Sequence, residues 1–239
     1  MISVICCYNN EEQFKTFSDN LKKQNVLYEL IPIDNRKHIF KSAAAALNYG
    51  AERASGDILV FSHQDILFLS KESLELLTEP IINNLQQEVI SGAFGVFLED
   101  GLTKGTKDHS VAKSVDECLF AMSRRTWEKN PFDEQICDGW HLYAVELCYR
   151  IRQQGGKVIG VNCCVEHLSE GNIDSVYMMV FRKLIKKYSD FEYIITTCKT
   201  MPTSLIYFWL YYPLWRFKKA LFGNYHLMAK CREIINPQR

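Results

Sequence analysis

The chain lacks a charge excess of either sign: its 28 Lys and Arg residues balance 28 Asp and Glu, giving a formal net charge of +0 over 239 residues. Nucleic acid is therefore not expected as a partner, because a phosphate-binding surface draws on a basic surplus. Cysteine motifs are also missing. The nine cysteines include the adjacent pairs Cys6-Cys7 and Cys163-Cys164, but none has the CxxC spacing of a zinc or redox site. An odd number of thiols, mostly within strand-like apolar runs, fits a reducing cytosol. No uninterrupted apolar run reaches the roughly 20 residues of a membrane-spanning helix. No basic start followed by an apolar stretch marks a secretory signal, because the N-terminus enters a strand at once. Internal repeats and low-complexity segments are absent. The chain does have 47% hydrophobic residues, enough for one sizeable core, so one domain with a C-terminal extension is expected. Its charge is unevenly spread. From Phe181 onward eleven basic residues stand against three acidic ones, leaving the tail at +8 and the body at −8.

Strand and helix patterns alternate over the first two thirds. Ile2 to Cys7 is an apolar strand ending at Tyr8-Asn9-Asn10, and a helix follows with Phe14, Phe17 and Leu21 on one face. A second strand, Tyr28 to Ile33, ends in Asp34, and an alanine-rich helix spans Ser42 to Ala54. After the breaker Ser55-Gly56, Asp57 to Phe61 reads as a strand covered on both faces, with Ser62-His63-Gln64-Asp65 emerging where it stops. Such alternation argues a parallel, doubly wound sheet whose strand ends share one rim, where open sheets bind ligands. Asp34 and Asp65 are then neighbours on that rim. His63 and Asp65 can share one divalent cation there; alternatively Asp65 caps the next helix.

Further strands are expected over Val89 to Phe97, Val115 to Met122 and Lys157 to Val165, with helices over Glu72 to Gln87 and from Trp140 to Gly155. The glycines of Val89 to Phe97 suggest another group close to the backbone. Glu99 to Lys113 is polar and aperiodic, which reads as a mobile loop beside the site or an ordinary surface loop. A second imidazole, His167, follows the last strand. After Ser175 the chain reads as helical and basic. Leu205 to Phe222 interleaves aromatics with Arg216, Lys218 and Lys219, and Pro213 divides it into two short amphipathic pieces. These either anchor the chain on a membrane surface or pack on the domain or a second subunit.

This constellation resembles the GT-A glycosyltransferases of family 2. The resemblance rests on a first strand ending in Tyr8-Asn9, Asp34 after the second, Asn48 ahead of Ala54-Ser55-Gly56-Asp57, an acidic motif after the next strand and a late acidic-aromatic helix start. Phe61-Ser62-His63-Gln64-Asp65, Val115-Asp116-Glu117, Gly139-Trp140-His141-Leu142-Tyr143 and His167-Leu168-Ser169 are most similar to a bacterial subgroup associated with capsule and surface-polysaccharide synthesis. The resemblance covers about Met1 to Gly171.

It implies an α/β GT-A fold, a Rossmann-like mixed sheet flanked by helices. Residues 1–172 would form the nucleotide-sugar-binding and catalytic domain, and 173–239 a helical, basic-aromatic extension. It also implies an inverting transferase that takes a sugar from a nucleotide-diphosphate donor to a saccharide or lipid-linked acceptor. Such an enzyme would be cytoplasmic or peripheral on the inner face of the plasma membrane, and a homo-oligomer is compatible with it.

The family's DxD motif stands here as His63-Gln64-Asp65, so a divalent cation would rest on Asp65 with His167 or His63. Mn²⁺ suits such a mixed N/O site better than Mg²⁺, which prefers oxygen. The acceptor-activating base falls at Asp138, which could equally cap the helix expected at Trp140; Glu117, with Asp116, is the rival base, or either reaches donor-sugar hydroxyls, or Asp116 simply faces solvent. Tyr8 and Asn9 would flank the nucleotide base, Asp34 the base or ribose, and Asn48 and Asp57 the pocket floor. His63, Gln64, Trp140 and His141 complete the nucleotide-sugar site. Two other readings are a nucleotidyltransferase, although Tyr8-Asn9-Asn10 lacks that class's glycine-rich basic loop, and a silent nucleotide-binding scaffold.

Overall fold

A computed structural model describes residues 1–99, 102–105, 110–169, 171 and 173–222, by backbone alone at 98–99, 102–105 and 222. The apolar opening run forms β1 (Ile2–Tyr8), buried through Cys6. Asn10 caps α1 (Glu11–Leu21) by accepting from the Gln13 amide, and Phe17 and Leu21 turn inward. β2 (Tyr28–Asp34) runs parallel to β1, with Tyr8 opposite Asp34. Ser42 caps α2 (Ala43–Arg53), whose small side chains let the helix lie close on the sheet. β3 (Ile58–Ser62) pairs in parallel with the other side of β1, Cys6 opposite Ser62. Tyr8, Asp34 and Ser62 therefore leave the sheet at one edge. Along β3 the side chains alternate between two cores: Leu59 and Phe61 enter the one under α2, Ile58 and Val60 the one under α1.

β4 (Ile66–Phe68), α3 (Ser73–Ile82), β5 (Val89–Gly92), β6 (Gly95–Glu99), β7 (Leu102–Gly105), β8 (Ser110–Val111), β9 (Ser114–Val115) and β10 (Leu119–Ser123) follow. Then come α4 (Arg124–Lys129), α5 (Tyr143–Gln153), β11 (Lys157–Gly160), β12 (Val165–His167), α6 (Ser175–Lys187), β13 (Tyr193–Ile195), β14 (Thr200–Pro202) and α7 (Leu205–Phe222). The main sheet has the order β2-β1-β3-β10-β5-β11-β8. It is mixed, not wholly parallel: β10 is antiparallel to β3 and β5, and β8 to β11. Among the described residues no helix lies between β5 and β10; strands β6 to β9 carry the chain back, where a parallel strand would need a crossover.

Several elements differ from the sequence reading. Val89 to Phe97 is two strands in different sheets, and Val115 to Met122 is split by Asp116–Cys118. The polar stretch 99–113, expected as a loop, contributes β7 and β8, and its residues 100–101 and 106–109 lie outside the described ones. α3 stops at Ile82, five residues before Gln87. The last sheet strand ends at Gly160; the chain turns through Cys164, at φ 53, and resumes as β12, which pairs antiparallel with β4. The C-terminal region is not all helix, because β13 and β14 form a hairpin within it. α7 is one helix running through Pro213, not two pieces. Pro213 and Trp209, whose carbonyl loses its partner, are both exposed residues, so the lost bond falls on the solvent side of the helix. Among the described residues no helix is long and apolar enough to cross a membrane. Phe181, Tyr188, Ile194, Phe208 and Trp215 share one buried cluster with Phe61 and Phe120, so the C-terminal elements pack on the sheet's own core.

The glycines of the β5–β6 segment do admit close neighbours. A Cβ on Gly92 would meet the Val115 side chain at 2.5 Å, and one on Gly95 the Gly160 backbone at 2.7 Å. The first contact holds the 115–118 turn down on β5. Gly92→Ala should therefore destabilise the fold by about 1–3 kcal/mol through overpacking against a stiff β-branched residue. Urea unfolding should show a lower midpoint at unchanged slope, and adding Val115→Ala should recover part of the loss. A Gly92→Ala protein as stable as the parent would contradict this contact.

Candidate active site

The parallel register of β1, β2 and β3 brings three loop starts to one rim, and a side chain ties two of them together. The Gln64 carbonyl accepts from the Asn9 and Asn10 amides at 3.0 Å each, and its NH₂ donates to Asn9 Oδ1 at 2.8 Å. Above this clamp opens a cavity of about 440 Å³, bordered by Tyr8, Asn35, His38, His63, Trp140 and Tyr143. Tyr8 stacks on Phe14, ring centroids 4.1 Å apart. A second cavity, of about 220 Å³, is lined by Asp116, Glu117, His141, His167, Tyr177 and Thr197. His63 and Trp140 line both, so they form the partition.

At that partition the two strand tips meet. His167 lies opposite Ile66 across the β12–β4 pair, and the Leu168 amide donates to the Asp65 carbonyl at 3.0 Å. His167 Nε2 comes 3.4 Å from Asp65 Oδ1, and His63 Nδ1 4.0 Å from the same oxygen. Burial opposes the charge on Asp65, but the hydrogen bond and charge of His167, with Ser169 and His63, hold its carboxyl well below the usual range. Burial also opposes charge on His167, yet Asp65 and Asp116 raise its pKa. His63 moves the other way, lowered by burial and then by His167.

The Tyr143 contacts favour a proton on Nε2 of His63. The tyrosine hydroxyl donates to the Glu117 carbonyl at 3.2 Å and lies 2.9 Å from His63 Nε2. Having spent its one proton, the hydroxyl accepts from His63 Nε2–H, which leaves Nδ1 bare toward the Asp65 carboxylate. A lone pair facing an anion is unfavourable unless a cation lies between them. Ligand atoms each about 2.1 Å from one ion lie about 3–4 Å apart; the His167 and His63 nitrogens, 3.4 Å and 4.0 Å from Asp65 Oδ1, fall in that range, and the three donors lie within 4.8 Å of one another. The residues therefore fit a divalent cation, with Tyr143 as the outer partner that orients His63. Asp116, Cys118 and His167 form a second group within the same limit, but the Cys118 thiol is fully buried, and burial raises its pKa well above the ordinary value.

Asp116 and Glu117 sit in the turn between β9 and β10, not within a strand. Asp116 accepts from the Cys118 amide and the Thr197 hydroxyl; burial opposes its charge, but His167 and these donors hold its pKa down. Glu117 behaves oppositely. Burial and the nearby Asp116 push its pKa far up, although the first amides of α5, those of Leu142, Tyr143 and Ala144, reach its carboxyl. Its Oε1 has no hydrogen-bond partner among the described residues. Glu117 thus supplies the cap that α5 lacks locally, for Leu142, at φ 65, offers no side-chain cap.

Four residues expected at the site are placed elsewhere or engaged otherwise. Asp57 stands at the start of β3, the opposite end from the site, 87% exposed and paired with the N-terminal amine. Asn48 is spent on packing: its carbonyl accepts from Trp127 Nε1 and the Phe132 amide, while its NH₂ donates to the Phe132 carbonyl and to Glu134. Asp34 lies on the rim, but its carboxylate is bound by Arg36, which holds its pKa at about 2. Asp138 does not cap α5, which starts at Tyr143; it is 59% exposed, ion-paired with Lys183 at 2.8 Å, and lines neither cavity. His141 and Trp140 are present as expected, and His141 Nε2 lies 3.4 Å from Asp174. The sequence reading missed Asn35, His38, Ser169 and the Thr196–Cys198 turn of the β13–β14 hairpin. Asn35, directly after the Asp34 strand end, and Ser169, in the His167-Leu168-Ser169 motif, carried signals that could have found them.

No protein-family model matches the chain, and no curated protein matches it by sequence. Solved structures do. GalNAc-T7, solved with UDP, GalNAc and Mn²⁺, superposes with a TM-score of 0.61 at 16% identity, over 80% of this chain and 49% of its own. The mannosyltransferase PcManGT of Pyrobaculum calidifontis, in complex with GDP-Man and Mn²⁺, gives 0.57 at 15% identity over 79% and 63%. Glucosyl-3-phosphoglycerate synthase of Mycobacterium tuberculosis, with Mn²⁺, UDP and glucosyl-3-phosphoglycerate, gives 0.52 at 16% identity over 79% of each chain. The chain thus spans about half the length of the first and under two thirds of the second. At such identities the likeness establishes architecture: the chain has the GT-A fold of these glycosyltransferases.

Proposed function

We propose that this chain is an inverting, metal-assisted glycosyltransferase, similar to family 2, that moves a sugar, a hexose or a related one, from a nucleotide-diphosphate donor to a saccharide or lipid-linked saccharide during surface-polysaccharide or capsule assembly. The observation that carries the reading is the meeting of His63, Asp65 and His167 beside a cavity on the ligand-binding rim of a GT-A sheet. The UDP, GDP-mannose and Mn²⁺ of the neighbouring structures support the donor class. The enzyme works in the cytoplasm, at the inner face of the plasma membrane.

The first cavity takes the nucleotide, with Tyr8 beside the base and Asn35 near the ribose. A divalent cation held by His63, Asp65 and His167 supplies the positive charge that stabilises the departing diphosphate. Two imidazoles among three ligands favour Mn²⁺ over Mg²⁺. Trp140 presents a flat face to the sugar at the partition. The second cavity takes the acceptor, so donor and acceptor lie on opposite sides of His63 and Trp140, the arrangement an in-line, inverting displacement requires.

The base is assigned to Glu117 and not to Asp138. Glu117 lines the second cavity, keeps one oxygen without a partner, and has its pKa raised by burial, while the α5 amides, together with a bound cation, would favour the anion that takes the acceptor's proton. The solvent-exposed Asp138–Lys183 pair offers neither condition.

Three measurements test this. Hydrolysis of a panel of nucleotide sugars should need Mn²⁺, and no turnover of any donor would overturn the reading. Calorimetric titration of Mn²⁺ in the presence of UDP should show binding abolished in Asp65→Ala and weakened about 10- to 100-fold in Tyr143→Phe, with circular dichroism unchanged; full affinity in Tyr143→Phe would remove the His63 tautomer argument. Glu117→Gln should cut turnover at least about 100-fold with donor binding kept, while Asp138→Asn stays near the parent rate. The reverse order would return the base to Asp138.

A further inference from the structure

α7 is apolar on two sides, and only one of them is used. Phe208 and Trp215 are buried and Tyr211 and Tyr212 half-buried against the core. On the opposite side Ile206, Leu210, Leu214, Phe217 and Leu221 recur every three or four residues, each between 59% and 76% exposed. At 3.6 residues per turn they fall within an arc of about 80°, so they form one continuous stripe. Single exposed apolar residues are ordinary on a protein surface, but an unbroken row along about four turns of helix is not.

The polar residues around the stripe say what covers it. α7 carries Arg216, Lys218 and Lys219 and no acidic residue. Arg216 and Lys218 are exposed and fall on the two flanks of the stripe. A second copy of the chain docked through this face would bring two such cationic sets together, which costs affinity. A bilayer carrying anionic headgroups fits both parts at once: the apolar ridge enters the acyl boundary while the flanking cations reach phosphate.

We propose that α7 lies in the interface of an anionic membrane, with the Ile206–Leu221 stripe downward. The packed side of α7, opposite the stripe, adjoins the second cavity. Lys219 donates to the carbonyl of Ile173, next to the Asp174 that pairs with His141. Lys199 donates to the Tyr211 hydroxyl at 2.6 Å, and its neighbour Cys198 lines the cavity. The cavity thus lies about one helix diameter, ~10 Å, from the docked stripe, within reach of a saccharide whose lipid tail stays in the bilayer; this part rests on the transferase reading, whereas the docking does not.

Flotation of the full chain with phosphatidylglycerol–phosphatidylcholine vesicles, and with phosphatidylcholine vesicles alone, tests the docking. The chain should float with the anionic vesicles only. Raising salt from about 0.1 M to about 1 M, which shortens the Debye length from about 10 Å to about 3 Å, should release it. Leu210→Glu combined with Phe217→Glu should lower the bound fraction at least about tenfold, with transfer to a water-soluble acceptor unchanged. The proposal is overturned if the parent chain does not float, if the double variant floats equally well, or if sedimentation velocity shows the stripe occupied by a second copy. Flotation in a protein that turns over no nucleotide sugar would uphold the docking and count against the transferase.

Discussion

The antiparallel contact between β4 and β12 is the constraint on which the site depends. Only three residue pairs long, it sets His167 opposite Ile66 and brings an imidazole from the end of the sheet against the carboxylate that follows β3. β4 is itself anchored from behind: Asn20 of α1 donates to the Phe68 carbonyl and accepts from its amide, while Ile66 and Phe68 are buried. On the other side, Cys164 adopts a left-handed conformation, a strain of about 1–2 kcal/mol for a residue with a side chain, and its carbonyl accepts from Leu69 and Ser73. The strain persists because both partners are already fixed by packing.

Around this contact the charges are sorted, not merely collected. Burial would by itself neutralise every carboxyl here. Asp65 and Asp116 escape because both face His167, whose charge they in turn support. Glu117 has Asp116 for a neighbour and is driven toward its neutral form. His63, beside His167 and bonded to a neutral hydroxyl, is held neutral as well. Groups of the same chemical type are thus shifted in opposite directions within one cluster, and a bound cation would take the place of the proton on His167. Tyr143 links the two halves, since its hydroxyl joins His63 to the Glu117 backbone.

Much of this was legible in the residue order. Strands covered on both faces read as unbroken apolar runs, so β1 and β3 were plain, and His63 and Asp65 follow β3 directly. His167 was also found, from its place near a strand end, but the expected strand was the wrong one: β11 stops at Gly160, and a separate strand of three residues carries His167. Three-residue strands lie below what periodicity can detect, so β4 and β12 left no trace. The β13–β14 hairpin was hidden for the same reason, and with it the Thr196–Cys198 turn lining the second cavity. Asn48 and Asp57 failed differently. Each has a residue type suited to a binding site, yet Asn48 is drawn into packing by Trp127 and Phe132, and Asp57 sits at the wrong end of its strand.

By itself the sequence determined the alternation of strands and helices, the two-faced core, and which loops emerge at the binding rim, because these follow from side-chain periodicity and local capping. Tertiary structure alone decided that β10 runs antiparallel, that Glu117 caps α5 from a distant turn, that α7 passes through Pro213 unbroken, and that His167 meets Asp65. Each of these depends on a partner far away in the chain, and local propensity carries no record of which distant group will take a hydrogen bond or fill a gap.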